Sequence, residues 1–129
     1  MSPLIKKISK NRKFNLNLVA TGNHFEKKKG ETFKEIIKNK IKINYKVRYE
    51  EKTSTKIELI SQISKAFKLN FKIFERSKPD LVVILGDRYE LIPIAYVSLL
   101  LNIPIAHLQG GEITEGALDV SIRHAITKL

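Results

Sequence analysis

Apolar residues recur along the chain at two spacings, and the switching between them predicts alternating helices and strands. Ser2-Pro3 fits the start of a short helix running to about Lys10, with proline suited to the first helical position. Phe14, Leu16, Leu18 and Ala20 alternate with polar positions, which predicts a strand. Thr21–Gly30 reads as a loop. Thr32 with Glu35 forms a capping-box pattern ahead of a helix near Phe33–Lys38. Ile41–Tyr49 reads as extended. Thr55 with Glu58 repeats the capping box, and after it Ile57, Ile60, Ile63, Phe67, Phe71 and Phe74 fall at helical spacing. That predicts the longest helix, ending before Pro79.

The second half alternates more sharply. Leu81–Leu85 is a continuous apolar run bounded by Pro79-Asp80 and Gly86-Asp87, as in a strand buried on both faces of a parallel sheet. Tyr89–Leu101 reads as a helix that takes Pro93 in its first turns. Asn102 and Pro104 stop it, and Ile103–Leu108 is a second short buried strand. Gly110–Gly116 is a loop. Leu118, Ile122, Ala125, Ile126 and Leu129 form a final helical stripe. This order predicts an α/β fold, a Rossmann-like parallel sheet with flanking helices and right-handed crossovers. In such sheets ligands bind beyond the carboxyl ends of the strands. Three loops leave strand ends here: Thr21–His24, Gly86–Arg88 and His107–Glu112. All three carry polar, ionisable or glycine residues.

Composition narrows the classes. A length of 129 residues with 43% hydrophobic content suits one domain with a real core. The absence of cysteine excludes a disulfide framework, thiolate metal sites and a cysteine nucleophile. No secretory leader or bilayer-length apolar run is visible, so a cytoplasmic location without membrane contact is the expectation. The net charge of +11 is lopsided: residues 1–79 carry +14 and residues 80–129 carry −3. Nineteen of the 24 cations are lysine, a poor choice for bidentate phosphate recognition. No aromatic–basic motif accompanies them, so a solvated lysine face is favoured over a nucleic-acid partner. A basic flank could still attract an anionic substrate.

Each candidate for chemistry has an ordinary alternative. Asp87, followed by Glu90, fits a helix N-cap; it equally fits a carboxylate aimed into the crevice. Arg88 stands at a helix start, a favourable place for phosphate, or forms a surface ion pair. His107 fits a hydrogen-bonded core histidine within a buried strand. Gly110-Gly111 allows close backbone approach to a ligand or makes a turn. Glu112 and Glu115 fit solvated loop acids. Asp119 and Arg123 are spaced as a helix ion pair, yet both project from the start of the helix after the glycine loop. His124 is similarly ambiguous, and His24 is the least explained by packing.

Dinucleotide, P-loop and nucleophile-elbow glycine patterns are missing. Gly22-Asn23-His24 and Gly86-Asp87-x-x-Glu90 superficially resemble metallophosphoesterase elements, but in reversed order and without their companions, so no metal is expected.

A second resemblance is nearly continuous from residue 78 onward. Lys78-Pro-Asp-Leu-Val-Val-Ile-Leu-Gly-Asp-Arg-Tyr-Glu90, then Leu101-Asn-Ile-Pro-Ile-Ala-His-Leu-Gln-Gly-Gly-Glu-Ile-Thr-Glu-Gly-Ala-Leu-Asp119, then Ser121-Ile-Arg-His-Ala-Ile-Thr-Lys-Leu129 resemble the hydrolysing UDP-N-acetylglucosamine 2-epimerase family. Ala20–Phe25 and Gly30–Thr32 extend the likeness more weakly. The resemblance implies two Rossmann-like domains of the glycosyltransferase-B type with the active site in the cleft between them. It implies conversion of a UDP-linked N-acetylhexosamine to free N-acetylmannosamine or an analogue plus UDP, for nonulosonic or sialic acid synthesis. No cofactor is implied. The implied mechanism is elimination of UDP across C1–C2 to a glycal, then hydration.

Carried over by position, Asp87, Asp119 and His24 match catalytic residues. Arg88 matches a position near the nucleotide. Gln109, Gly110, Gly111, Glu112, Arg123 and His124 match the substrate cleft. Gln109 stands where some members carry Glu or His, and a glutamine cannot serve as a general base. Residues 1–129 resemble part of the N-terminal domain, without the family's first strand and its C-terminal domain. Negligible turnover by the chain alone is the expectation. A homo-oligomer or a separate C-terminal domain are the expected partners for the open cleft. The alternative is a noncatalytic α/β fragment that binds sugar nucleotides or assists assembly.

Overall fold

A computed structural model of the chain describes residues 2–21, 41–48, 55–111 and 118–129. The chain divides into two units, Met1–Ser54 and Thr55–Leu129.

The first unit opens with helix α1 (Ser2–Lys10), as the Ser-Pro start predicts. Strands β1 (Val19–Thr21) and β2 (Tyr45–Val47) follow and pair in parallel, with Ala20 opposite Lys46. Ala20, Ile41 and Val47 are buried there. The strand expected from Phe14 begins only at Val19, and the cause is local. Asn11 ends α1 in a turn, accepting the Phe14 N–H on its carbonyl at 3.1 Å and the Lys13 N–H on its side chain at 3.0 Å. Phe14 is left exposed at that turn. The ladder opens at Leu18, whose N–H donates to the Asn44 side chain at 3.1 Å and whose carbonyl accepts the Asn44 N–H at 2.9 Å. Thr21, expected in a loop, ends β1. The rest of that loop, the helix near Phe33–Lys38 and Tyr49 lie outside the described residues.

The second unit opens with α2 (Lys56–Ser77), and its capping box is complete. The Thr55 hydroxyl accepts the Glu58 N–H at 3.2 Å, and the Glu58 carboxylate accepts the Thr55 N–H at 3.1 Å. Lys78 closes the helix in the left-handed region, donating its N–H to the Phe74 carbonyl at 2.8 Å; Pro79 cannot continue it. The buried face differs from the expected stripe. Gln62, Ala66, Asn70 and Phe74 are buried, whereas Ile57 is 82% exposed and Ile60 62%. Helix α2 packs against α3 (Leu91–Leu100), where the rings of Phe67 and Tyr96 meet edge to face with their centres 5.7 Å apart. Asn70 gains cover by donating its amide to the Ala66 carbonyl at 2.9 Å.

Strands β3 (Val82–Leu85) and β4 (Ile105–Leu108) pair in parallel, Val82 opposite Ile105 through Leu85 opposite Leu108. Parallel pairing demands a crossover, which α3 supplies. The last helix is α4 (Leu118–Lys128). The core gathers Phe74 of α2, Val82 and Ile84 of β3, Ile94, Ala95 and Val97 of α3, and Ile122 and Ile126 of α4. All three helices therefore cover the face of β3 that carries Val82 and Ile84. Val83 and Leu85 point to the opposite face and are exposed, so the expectation of a strand buried on both faces is corrected within this unit. Strand β4 is half-buried throughout rather than fully buried. Helix α3 begins two residues later than expected, after a turn in which Leu91 and Ile92 donate to the carbonyls of Arg88 and Tyr89. Pro93 sits in its first turn, where an N–H has no helical partner to lose. In α4, Ile122 and Ile126 are buried, but Ala125 is exposed and Leu129 lies beyond the helix end. Among the described residues, no helix is long and apolar enough to cross a membrane.

Candidate functional site

The carboxyl ends of β3 and β4 and the face of α4 supply the candidate site. After Leu85 the chain turns at Gly86, which adopts φ of 91°, a conformation that glycine takes without strain. Asp87 and Arg88 follow before α3 begins. The N-cap reading of Asp87 is corrected: Glu90 occupies the cap of α3 in a helical conformation and makes no side-chain cap bond. Asp87 instead forms an ion pair with Arg123, whose guanidinium donates from Nη2 to Oδ2. Arg123 is only 6% exposed. It is a buried cation reaching the turn after β3, not a surface partner spaced along its own helix.

Arg88 is more open, and its guanidinium donates from Nε and Nη2 to the buried Glu90 carboxylate, at 2.9 Å for the shorter contact. It also lies 6.0 Å from the centre of the Tyr89 ring. The hydrogen bond to Glu90 raises the Arg88 pKa above its ordinary value; burial opposes this, and the charges of Glu90 and Asp119 add to it. Arg88 is thus a fixed cation within reach of Asp119's field. Asp119 itself stands exposed in the first turn of α4. Two ion pairs result, Asp87 with Arg123 and Arg88 with Glu90, and the charge of Asp119 is the smallest of the influences on Arg88. Such groups can orient a phosphate against a cation and present a carboxylate to a nearby carbon acid.

The second turn of the site is Gln109-Gly110-Gly111, leaving β4. Gln109 is exposed with φ of 61°, and Gly110 is buried. His107 is hydrogen-bonded at both ring nitrogens, to the Gly86 carbonyl and to Thr127. The hydrogen bonds agree with the expected bonded histidine, but the residue is half-buried rather than part of the core. His124 is exposed on α4. His24 and Glu112 lie outside the described residues. The structure joins Asp87 to Arg123, sets Arg88 next to Asp87 in the turn after β3 and Asp119 in the first turn of α4, and places Gln109, Gly110 and Gly111 at the neighbouring strand end. Glu90 as the Arg88 anchor and Thr127 as a polar hub were missed. Thr127 lies one helical turn after Arg123, so the i,i+4 spacing was available as a signal. Nothing local marked Glu90's role, because the Asp-x-x-Glu pattern pointed to a cap instead.

Comparison with known proteins bears on the whole chain. A family model described as UDP-N-acetylglucosamine 2-epimerase matches residues 6–129. The chain is 45% identical over 126 residues to the GDP/UDP-N,N'-diacetylbacillosamine 2-epimerase (hydrolyzing) of Campylobacter jejuni, covering 98% of this chain and 33% of that protein. It is 32% identical to the UDP-N-acetylglucosamine 2-epimerase of Neisseria meningitidis, covering 100% of this chain and 33% of the relative. Among solved structures, the Neisseria meningitidis UDP-GlcNAc 2-epimerase bound to UDP-GlcNAc superposes with a TM-score of 0.81 at 17% identity, over 99% of this chain and 34% of that one. The Methanocaldococcus jannaschii UDP-GlcNAc 2-epimerase gives 0.74 at 23% identity, over 98% and 32%. The fold is thus the α/β fold of these structures, and the chain spans about a third of the length of the relatives it matches.

Proposed function

Because the chain belongs to the UDP-N-acetylglucosamine 2-epimerase family, we propose that it supplies one wall of a hydrolysing 2-epimerase site. The reaction converts a UDP-linked N-acetylhexosamine and water to the free 2-epimer and UDP. Residues 1–129 form part of an N-terminal Rossmann-like domain in this reading. The facing wall comes from a C-terminal domain or another copy. The product feeds nonulosonic or sialic acid synthesis in the cytoplasm.

The chemistry has two stages. A base takes the C2 proton, the C1–O bond to UDP breaks, and a C1=C2 double bond forms. Water then adds its oxygen to C1, and C2 receives a proton on the opposite face. The first stage needs a carboxylate near C2 and a cation near the departing diphosphate. Asp87 and Asp119 are the proton-transferring carboxylates, and the family pattern alone assigns His24, outside the described residues, to catalysis. Arg88 faces the diphosphate. Gln109, Gly110, Gly111 and His124 line the cleft, the buried Arg123 orients Asp87 rather than meeting substrate, and the family pattern alone assigns Glu112, outside the described residues, to the same segment. Gln109 contributes hydrogen bonds, not proton transfer.

One observation carries this reading: the Asp87–Arg123 pair joins the Gly-Asp-Arg and Ser-Ile-Arg-His segments at the carboxyl end of β3. The 45% identity to the Campylobacter jejuni protein makes a UDP-linked diacetamido sugar the first substrate to try. Saturation-transfer NMR with UDP-N-acetylglucosamine and UDP-N,N'-diacetylbacillosamine tests the proposal. Transfer to the sugar and acetamido protons is expected, weakened by Arg88→Ala. No transfer from either compound contradicts it.

A second reading is favoured by the engagement of the Asp87 carboxylate with the buried Arg123. The same groups then hold a sugar nucleotide without turning it over. Coupled detection of released UDP separates the two. Sustained release, lost in Asp87→Asn, supports the enzyme; binding without release supports the noncatalytic module.

A further inference from the structure

The His107 ring links the two turns of the site to α4. Its Nε2 lies 2.6 Å from the Gly86 carbonyl oxygen, and its Nδ1 lies 3.2 Å from Thr127 Oγ1. A carbonyl only accepts, so Nε2 carries the proton of the first bond. The Gly86 N–H donates to the Leu108 carbonyl at 3.2 Å. Strand β4 therefore holds both polar groups of Gly86. The Gly86 carbonyl belongs to the peptide that carries the Asp87 amide, so its direction sets where Asp87 starts.

Thr127 lies one helical turn after Arg123. Its oxygen stands 3.1 Å from the Gly110 carbonyl, 2.9 Å from the Arg123 carbonyl and 3.2 Å from His107 Nδ1, so its single proton is donated to Nδ1 or to one of these carbonyls. No side chain fits beside this junction. A Cβ on Gly110 would lie 2.7 Å from His107 Nδ1 and 3.0 Å from Thr127 Oγ1.

We propose that His107 and Thr127 form a positioning brace for the Asp87 carboxylate. Helix α4 grips the Asp87 side chain through Arg123. One turn later it grips the peptide before Asp87 through Thr127 and His107. Neither brace residue touches substrate in this scheme. The brace rests on the proposed proton-transfer role of Asp87 only for its catalytic meaning; the geometry exists in the ligand-free chain.

Its test is a set of ¹H–¹⁵N spectra of the ligand-free chain, comparing Thr127→Val, Thr127→Ser and Gly110→Ala with the wild type. Methyl resonances of Ile94 and Val97 report the folded core. Thr127→Val and Gly110→Ala should each move the Gly86 and Asp87 amides by more than a linewidth and alter the His107 ring nitrogens. Thr127→Ser, which keeps the hydroxyl, should restore the wild-type pattern. Core methyls in place with Gly86 and Asp87 unmoved in Thr127→Val would overturn the brace. If Thr127→Val does not fold, Gly110→Ala decides by the same readout; unfolding of both overturns the brace as a local device. Titration of the wild type with UDP-N-acetylglucosamine separately tests the substrate reading. Absence of binding there, with the expected amide movements here, removes the substrate and leaves the brace standing.

Discussion

Arg123 enters the buried side of α4 carrying a charge that burial penalises heavily unless it is met. Asp87 meets it from the turn after β3. Replacing Asp87 by Ala should therefore lower stability by about 1.5–3 kcal/mol, the range for a hydrogen bond to a charged group. Urea unfolding checks this: the midpoint should fall with an unchanged slope. A midpoint within error of the wild type would mean that Asp87 does not hold Arg123. Arg88 obeys a different rule. Its raised pKa keeps it charged throughout the usual pH range, and the stability linked to that shift is fully present below its ordinary value. Binding of a sugar diphosphate should consequently weaken about tenfold or more on Arg88→Ala and respond far less to Arg88→Lys, read by calorimetry at fixed salt. Equal losses for the two variants would show that the guanidinium's charge is not what the ligand reads. The sequence marked Asp87, Arg88, Asp119 and Arg123 as candidates through their places beside predicted strand ends and helix starts. It did not show that Arg123 reaches Asp87, because that contact depends on how α4 packs against β3.

The elements themselves were legible wherever the signal was local. Thr55 and Glu58 satisfy each other's backbone within three residues, so the start of α2 follows from chemistry the sequence displays directly. Thr55→Ala should cost about 0.5–2 kcal/mol, and Thr55→Ser much less, measured by thermal or urea unfolding. A loss equal for both would locate the effect outside the cap. The buried face of α2 was legible only in part. Periodicity marked Ile57, Ile60 and Phe71, which stay exposed, as well as Phe67 and Phe74, which reach the core, and it did not mark the buried Gln62, Ala66 and Asn70. The strand at Leu81–Leu85 shows the same limit. A run of apolar residues tells that a strand is buried, and only the placement of three helices tells which side. Ile126 stands where that packing converges, 2% exposed. Ile126→Ala should remove about 2–5 kcal/mol, and Ile126→Val about 0.5–1.5; similar small losses for both would place Ile126 outside the core.

At the scale of the whole chain, the fold class was readable because parallel strands need crossover helices, and the alternation of short apolar runs with helical stripes has few other solutions. The structure pairs β1 with β2 and β3 with β4, each in parallel. The family was readable because the residues at the ends of those strands also spell a pattern matched over residues 6–129. The +11 charge would have misled if taken alone, since its excess lies in the first 79 residues and the candidate site carries carboxylates. In the proposed function, the turns after β3 and β4 and the first turn of α4 share one sugar-nucleotide ligand. Mapping ¹H–¹⁵N shift changes during titration with UDP-N-acetylglucosamine tests it most directly. Saturable changes should concentrate at Gly86–Glu90, Gln109–Gly111 and Asp119–Arg123. Changes confined to α2 or to the lysine-rich first unit, or no saturable change at all, would contradict it.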